Sequence, residues 1–148
     1  MTARILDVRY HLLLPDVSLV GSPLDYYQWG ALLKSLSGFE AYRRTYQSGI
    51  RPIDVVEFVV LNPDFPRSLA YCLDGMEKAL ERIGSVSRGS VPGTMEALRA
   101  HLHGATPQGI LDQGLHEYLD QFLALLAELG SALQGDYFEA HLGDDLGA

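Results

Sequence analysis

Between Thr106 and Tyr137 the chain places apolar residues at steps of three and four: Leu111, Leu115, Tyr118, Phe122, Leu125, Leu126, Leu129, Leu133 and Tyr137. A spacing near 3.6 turns one face of an α-helix toward a core, and it cannot lie on a strand, whose faces alternate at every residue. The stripe therefore predicts one continuous helix of about seven turns, roughly 40 Å long, as the spine of the molecule. Leu119 and Leu123 add a second row beside it. The buried face is then wider than a two-helix seam, which points to an all-α, multi-helix bundle with a long C-terminal helix.

The remaining segments follow the same period. From Thr2 to Leu14, Ile5, Val8 and Leu12 form one stripe and Leu6, Tyr10 and Leu13 another, so that helix is covered on two sides until Pro15 stops it. Ser22-Pro23-Leu24-Asp25 reads as cap, first helical position and first-turn acid, and Trp29, Leu32, Leu33 and Leu36 share one face, with Gly38 as the left-handed exit. Phe39, Tyr42 and Tyr46 are spaced for a short third helix with Gly49 behind it. Val55 to Leu61 is rich in β-branched residues, yet it follows Pro52 and Asp54, a helix start, and is assigned as helix. After the turn Asn62–Pro66, a stripe of Leu69, Cys72, Leu73, Met76, Leu80 and Ile83 marks a helix with Asp74 and Lys78 paired outside and Cys72 packed in the core. Gly84–Gly93 has the composition of a flexible connection, followed by a short helix near Thr94–His103 and by Thr106-Pro107, a cap and first position. Residues 1–141 read as one domain and 142–148 as a frayed tail.

Composition narrows the function classes. A chain of 148 residues with 47% hydrophobic residues builds a core without staples, and a single cysteine excludes a disulfide framework within the chain or a multi-cysteine zinc site. The formal charge of −8 disfavours nucleic acid. No apolar run approaches the length of a membrane span and no signal-peptide pattern opens the chain, so the expected location is the cytoplasm. Nine arginines against two lysines fit a GC-rich or heat-adapted bacterium.

No strong catalytic motif is present. His116-Glu117 has the first half of a zinc-peptidase H-E-x-x-H, but Asp120 stands where the second histidine belongs, and no glutamate is followed three residues later by a histidine, as a dimetal bundle requires. His101 and His103 point to opposite sides of a helix, and no metal or cofactor is expected. G-x-G-x-x-G, G-x-x-x-x-G-K-[ST] and G-x-S-x-G are missing, which leaves nucleotide loops and hydrolase elbows unsupported. Tyr42-Arg43-Arg44-Thr45-Tyr46 offers guanidinium forks and hydroxyls to an anion. A cleft lined by Tyr42, Arg43, Tyr46 and His116 is the candidate ligand-binding site.

The strings Thr2–His11, Phe39–Tyr46, Val55–Phe58 with Leu61–Ser68, and Gly114–Glu117 together resemble the bacterial alpha-E domain family, in order and over nearly the whole chain. The resemblance implies an all-helical fold. It also implies company: members are typically encoded beside, or fused to, a circularly permuted ATP-grasp protein of peptide-ligase type, often with a transglutaminase-like protease. Family members usually begin with some twenty further residues carrying a Glu-x-x-Arg signature before the segment that here starts at Thr2. Without that half-helix, Leu6, Tyr10 and Leu13 are expected to line an open apolar groove that a second copy fills, giving a homodimer. The leading expectation is a non-catalytic accessory protein that docks on an ATP-grasp amide-bond-forming enzyme; the rival is an enzyme or ligand-binding bundle using the Tyr42, Arg43, Tyr46 and His116 cleft.

Overall fold

The computed structural model describes residues 1–13, 23–47, 49–83 and 89–136. Among them are eight α-helices and no strand: α1 (Thr2–Leu13), α2 (Pro23–Ser35), α3 (Phe39–Thr45), α4 (Pro52–Val56), α5 (Leu69–Ile83), α6 (Val91–His103), α7 (Pro107–Gln113) and α8 (Leu115–Gln134), with a π-helical turn, Glu57–Leu61, continuing α4. Ser22, residues 84–88, Tyr137 and the tail 142–148 lie outside the described residues, as do the side chains of Tyr10 and Leu13. No described helix is long and apolar enough to cross a membrane. The chain divides into two compact units, Met1–Cys72 with Ala105–Leu119, and Leu73–Gly104 with Asp120–Ala148.

In the first unit α1 packs on α2, α2 on α3 and α4, and α4 on α7. Leu6 is fully buried there, so it does not line an open groove within this chain. The β-branched run is helical because Val55, Val56, Val59 and Val60 are all fully buried, and burial on this scale outweighs the small helix penalty of valine. The exit from α2 differs from the expected glycine cap. Ser37 takes the left-handed conformation (φ 51), while the Gly38 amide donates to Leu33 O at 2.8 Å, closing a Schellman motif. Gly38 is needed for space: a Cβ there would stand 2.7 Å from Phe65 Cζ. Arg67 Nη1 donates to Leu36 O and to Ser37 Oγ, both at 3.1 Å, holding the strained corner.

The segment Asn62–Ser68 ties three elements together. Asn62 Oδ1 accepts from the Asp64 and Phe65 amides, and buried Ser68 donates to Asn62 O while accepting from the Tyr71 amide, capping α5. Thr2 Oγ1 on α1 donates to Arg67 O at 2.8 Å.

The expected seven-turn spine is two helices. Gly114 interrupts it at φ 105, a conformation that strains any residue with a Cβ, and the flexible, exposed Glu117 carboxylate folds back over the open side of the glycine. Thr106 caps α7 as expected, its Oγ1 accepting from the Gly109 amide at 3.1 Å. A second correction falls on α5. At about 100° per residue Leu69, Leu73 and Leu80 lie within a narrow arc and are buried, whereas Cys72 and Ile83 fall on one flank and are exposed. Cys72 is therefore a surface thiol.

In the second unit α6 begins at Val91, three residues before the expected start, with Pro92 in its first turn. Asp136, just past α8, supplies the cap that local sequence lacks: its Oδ2 accepts from the Ser90 and Val91 amides at 2.9 and 3.3 Å. Gly89 (φ 80) leaves room for that carboxylate. Val91, Leu98 and Leu102 are buried with Phe122 and Leu129, and Asp74 and Lys78 pair on the outside at 2.6 Å.

Candidate functional site

One polar cluster of the first unit gathers around α3 and the start of α4. Tyr42 sits one turn into α3 with its ring fully buried, stacked on Tyr46 at 4.9 Å and edge-on to Phe58 at 5.6 Å. Phe58 in turn stacks on Phe65 at 4.3 Å. The π-turn places Phe58 toward these rings and Glu57 toward solvent. The Tyr42 hydroxyl donates to Gly49 O at 3.0 Å and accepts from the Arg51 amide at 3.3 Å, so it closes the loop between α3 and α4.

Arg51 and Asp54 form a bidentate pair, Nε to Oδ2 at 2.6 Å and Nη2 to Oδ1 at 2.8 Å, with Asp54 buried and Arg51 more than half exposed. Asp54 stays in its buried position because the guanidinium fork meets both of its oxygens. Burial raises the Tyr42 hydroxyl pKa above the ordinary tyrosine value, and the nearby Asp54 charge adds to this while Arg51 opposes it. Tyr46 is pushed up to about 12, first by burial, then by the charge of Glu57 and by donation to its carboxylate. Both tyrosines are therefore neutral donors at physiological pH and poor nucleophiles.

Of the four residues expected to line one cleft, Tyr42 and Tyr46 come together. Arg43 is exposed on α3. His116 stands on the first turn of α8, with Nδ1 2.5 Å from Oδ1 of Asp7 on α1 and both side chains about three-tenths exposed. With Asp7 ionised, Nδ1 carries the proton and donates, which fixes the ring on α1. Sequence reasoning missed Arg51, Asp54, Glu57 and Asp7. Arg51 and Asp54 carry a legible signal, an i, i+3 pair of opposite charge astride a proline, whereas Asp7 and His116 are 109 residues apart and nothing local joins them. Among the described residues no group of three or more His, Cys, Asp and Glu side chains is placed to hold a metal.

The sequence matches the Alpha-E family model over residues 1–138, described as a predicted alpha-helical domain with a conserved ER motif. The chain belongs to the Alpha-E family. No curated protein and no solved structure matches it. In this Alpha-E chain an adjacent Glu-Arg pair occurs once, at Glu81-Arg82, exposed near the end of α5, and none of the clusters above uses it.

Proposed function

We propose that this Alpha-E chain is a helical accessory protein that docks on an ATP-grasp, peptide-ligase-type enzyme in the bacterial cytoplasm, and that it performs no chemistry of its own. What supports this reading is the use already made of the polar groups a reaction centre would need. The Tyr42 hydroxyl bridges two backbone groups, Tyr46 donates to Glu57, Arg51 spends two donors on Asp54, and His116 is turned onto Asp7. An active site needs such groups convergent on a reacting atom, and here they are spent holding the fold.

Two aromatic side chains stand open near the start of α2. Tyr26 and Tyr27, near its start, are 53% and 77% exposed, and Tyr26 lies close enough to Tyr42 to influence its hydroxyl. Rigid, amphipathic tyrosines are enriched at the centres of protein interfaces, where they bury a large area at low entropic cost. The ATP-grasp partner is the one the family resemblance implies. The test is titration calorimetry of the purified chain against the ATP-grasp protein encoded with it, using the wild type and the double variant Tyr26→Ser, Tyr27→Ser. The reading expects saturable binding that the double variant weakens at least about tenfold with an unchanged helical circular-dichroism spectrum. Equal binding by the variant would remove the docking face, and ATP-dependent amide formation by the chain alone would overturn the accessory role.

A further inference from the structure

The second unit contains a cleft that none of the groups above touches. It lies between α5 and the first half of α6 and has a volume of about 240 Å³. Leu80, Val91 and Met95 make its floor, each less than one-tenth exposed. Glu77, Glu96 and Arg99 make its rim, with side chains 30%, 71% and 44% exposed. A dry apolar cavity of roughly 150 Å³ accommodates a benzene ring, whereas drug-sized ligands need about 300 Å³ or more. This cleft therefore suits a small molecule of up to about ten heavy atoms.

The rim decides the charge of that molecule. Arg99 is ion-paired with Glu77 across the two helices and stands 4.0 Å from Glu96 on its own helix, so two carboxylates face one guanidinium. The N-terminus of α6 would ordinarily favour an anion nearby, but Asp136 already accepts from its Ser90 and Val91 amides and offsets that end of the dipole. The uncompensated charge at the mouth is negative. Its placement also fixes orientation, because the apolar surface is deep and the carboxylates are outermost.

We propose that this cleft binds a small primary alkylamine in its ammonium form, with the hydrocarbon tail on Leu80, Val91 and Met95 and the ammonium at the rim against Glu96. The geometry selects a free amine over a lysine side chain of a protein. A lysine would have to enter charge first, burying its ammonium on an apolar floor without a partner, at a desolvation cost the site does not offset. The site is independent of the docking face on α2, and either can fail without the other.

The experiment is a ¹⁵N–¹H NMR titration of the whole chain with n-butylammonium, and in parallel with n-butanol, butyrate and Nα-acetyl-lysine amide. The expected result is saturable shifts at the amides of Leu80, Val91 and Met95 with n-butylammonium, with n-butanol about threefold weaker and butyrate weaker still. Nα-acetyl-lysine amide should leave those amides unmoved. Glu96→Gln, a surface change, should bring n-butylammonium down to the affinity of n-butanol, and Met95→Trp should abolish both by filling the floor. Equal affinities for n-butylammonium and n-butanol, an unaltered titration in Glu96→Gln, or saturation by the lysine derivative at the same amides would each overturn the proposal. Should Met95→Trp fail to fold, Glu96→Gln decides the matter alone.

Discussion

Around Phe58 the first unit closes on itself: rings of Tyr42, Tyr46, Phe58 and Phe65 meet at centroid distances of 4.3 to 6.2 Å, and the tyrosine hydroxyls are met by backbone or carboxylate. Between α5 and α6 the second unit does the reverse, leaving about 240 Å³ over an apolar floor and holding its charges at the edge. Both regions come from the same kind of sequence, amphipathic helices with scattered ion pairs. The difference lies in side-chain size. Aromatic rings reach across the space between helices and fill it, whereas Val91, Leu80 and Met95 stop short.

That contrast is breakable by mutation. The largest effect is expected from Phe58→Ala, which deletes a ring only 2% exposed and in contact with three others: about 3–5 kcal/mol lost in urea denaturation. Met95→Ala, at the cleft, should cost distinctly less, and equal losses would erase the distinction between a filled and an unfilled region. Next comes alkaline pH. Burial pushes Tyr118 up to about 12, well above the ordinary tyrosine value of 10.0. A pKa raised in the folded state favours the protonated form there, so its stabilisation is complete below about pH 10 and is lost as pH rises toward 12. The wild type should lose on the order of 2 kcal/mol more than Tyr118→Phe between those limits, read as the difference of their Tm profiles. Parallel profiles would show the hydroxyl to be solvated.

Smaller effects sharpen the comparison at two glycines. Gly38→Ala puts a methyl against Phe65 and should cost about 1–3 kcal/mol by overpacking, since φ at this residue is ordinary. Gly130→Ala, in α8 where a Cβ meets nothing within 4 Å, should instead stabilise by about 0.5–1 kcal/mol. Thermal unfolding of the pair gives opposite signs if the first unit is tight and this surface of the second is open.

How far these features could be read from sequence depends on the range of the interaction. Thr106-Pro107 as the start of α7, the Asp74–Lys78 pair and the helical state of the valine run are set by neighbours within one turn, and each is legible. The break at Gly114 was hidden because the apolar spacing runs on through it, although a glycine ahead of an i+3 glutamate is itself a start signal. Asp136 as the cap of α6 and Asp7 as the partner of His116 depend on residues 45 or more positions away, and no periodicity announces them. For the candidate site, the Tyr42–Tyr46 stack and the exposure of Arg43, about 100° round α3 from Tyr42, are relations within one turn, while the seating of His116 on Asp7 was decided by tertiary packing.

The displacement of Cys72 to the surface has a practical edge. A chain with one thiol, and that thiol exposed, can be oxidised in air to a covalently linked pair joined at position 72. Such a pair would co-elute with the homodimer expected from the sequence in sizing chromatography while saying nothing about the surfaces that meet in it. Mass determination under full reduction, or on Cys72→Ser, separates self-association from oxidation. The same residue then serves as a single attachment point for a fluorophore that reports partner binding without a second labelling site to confuse the signal.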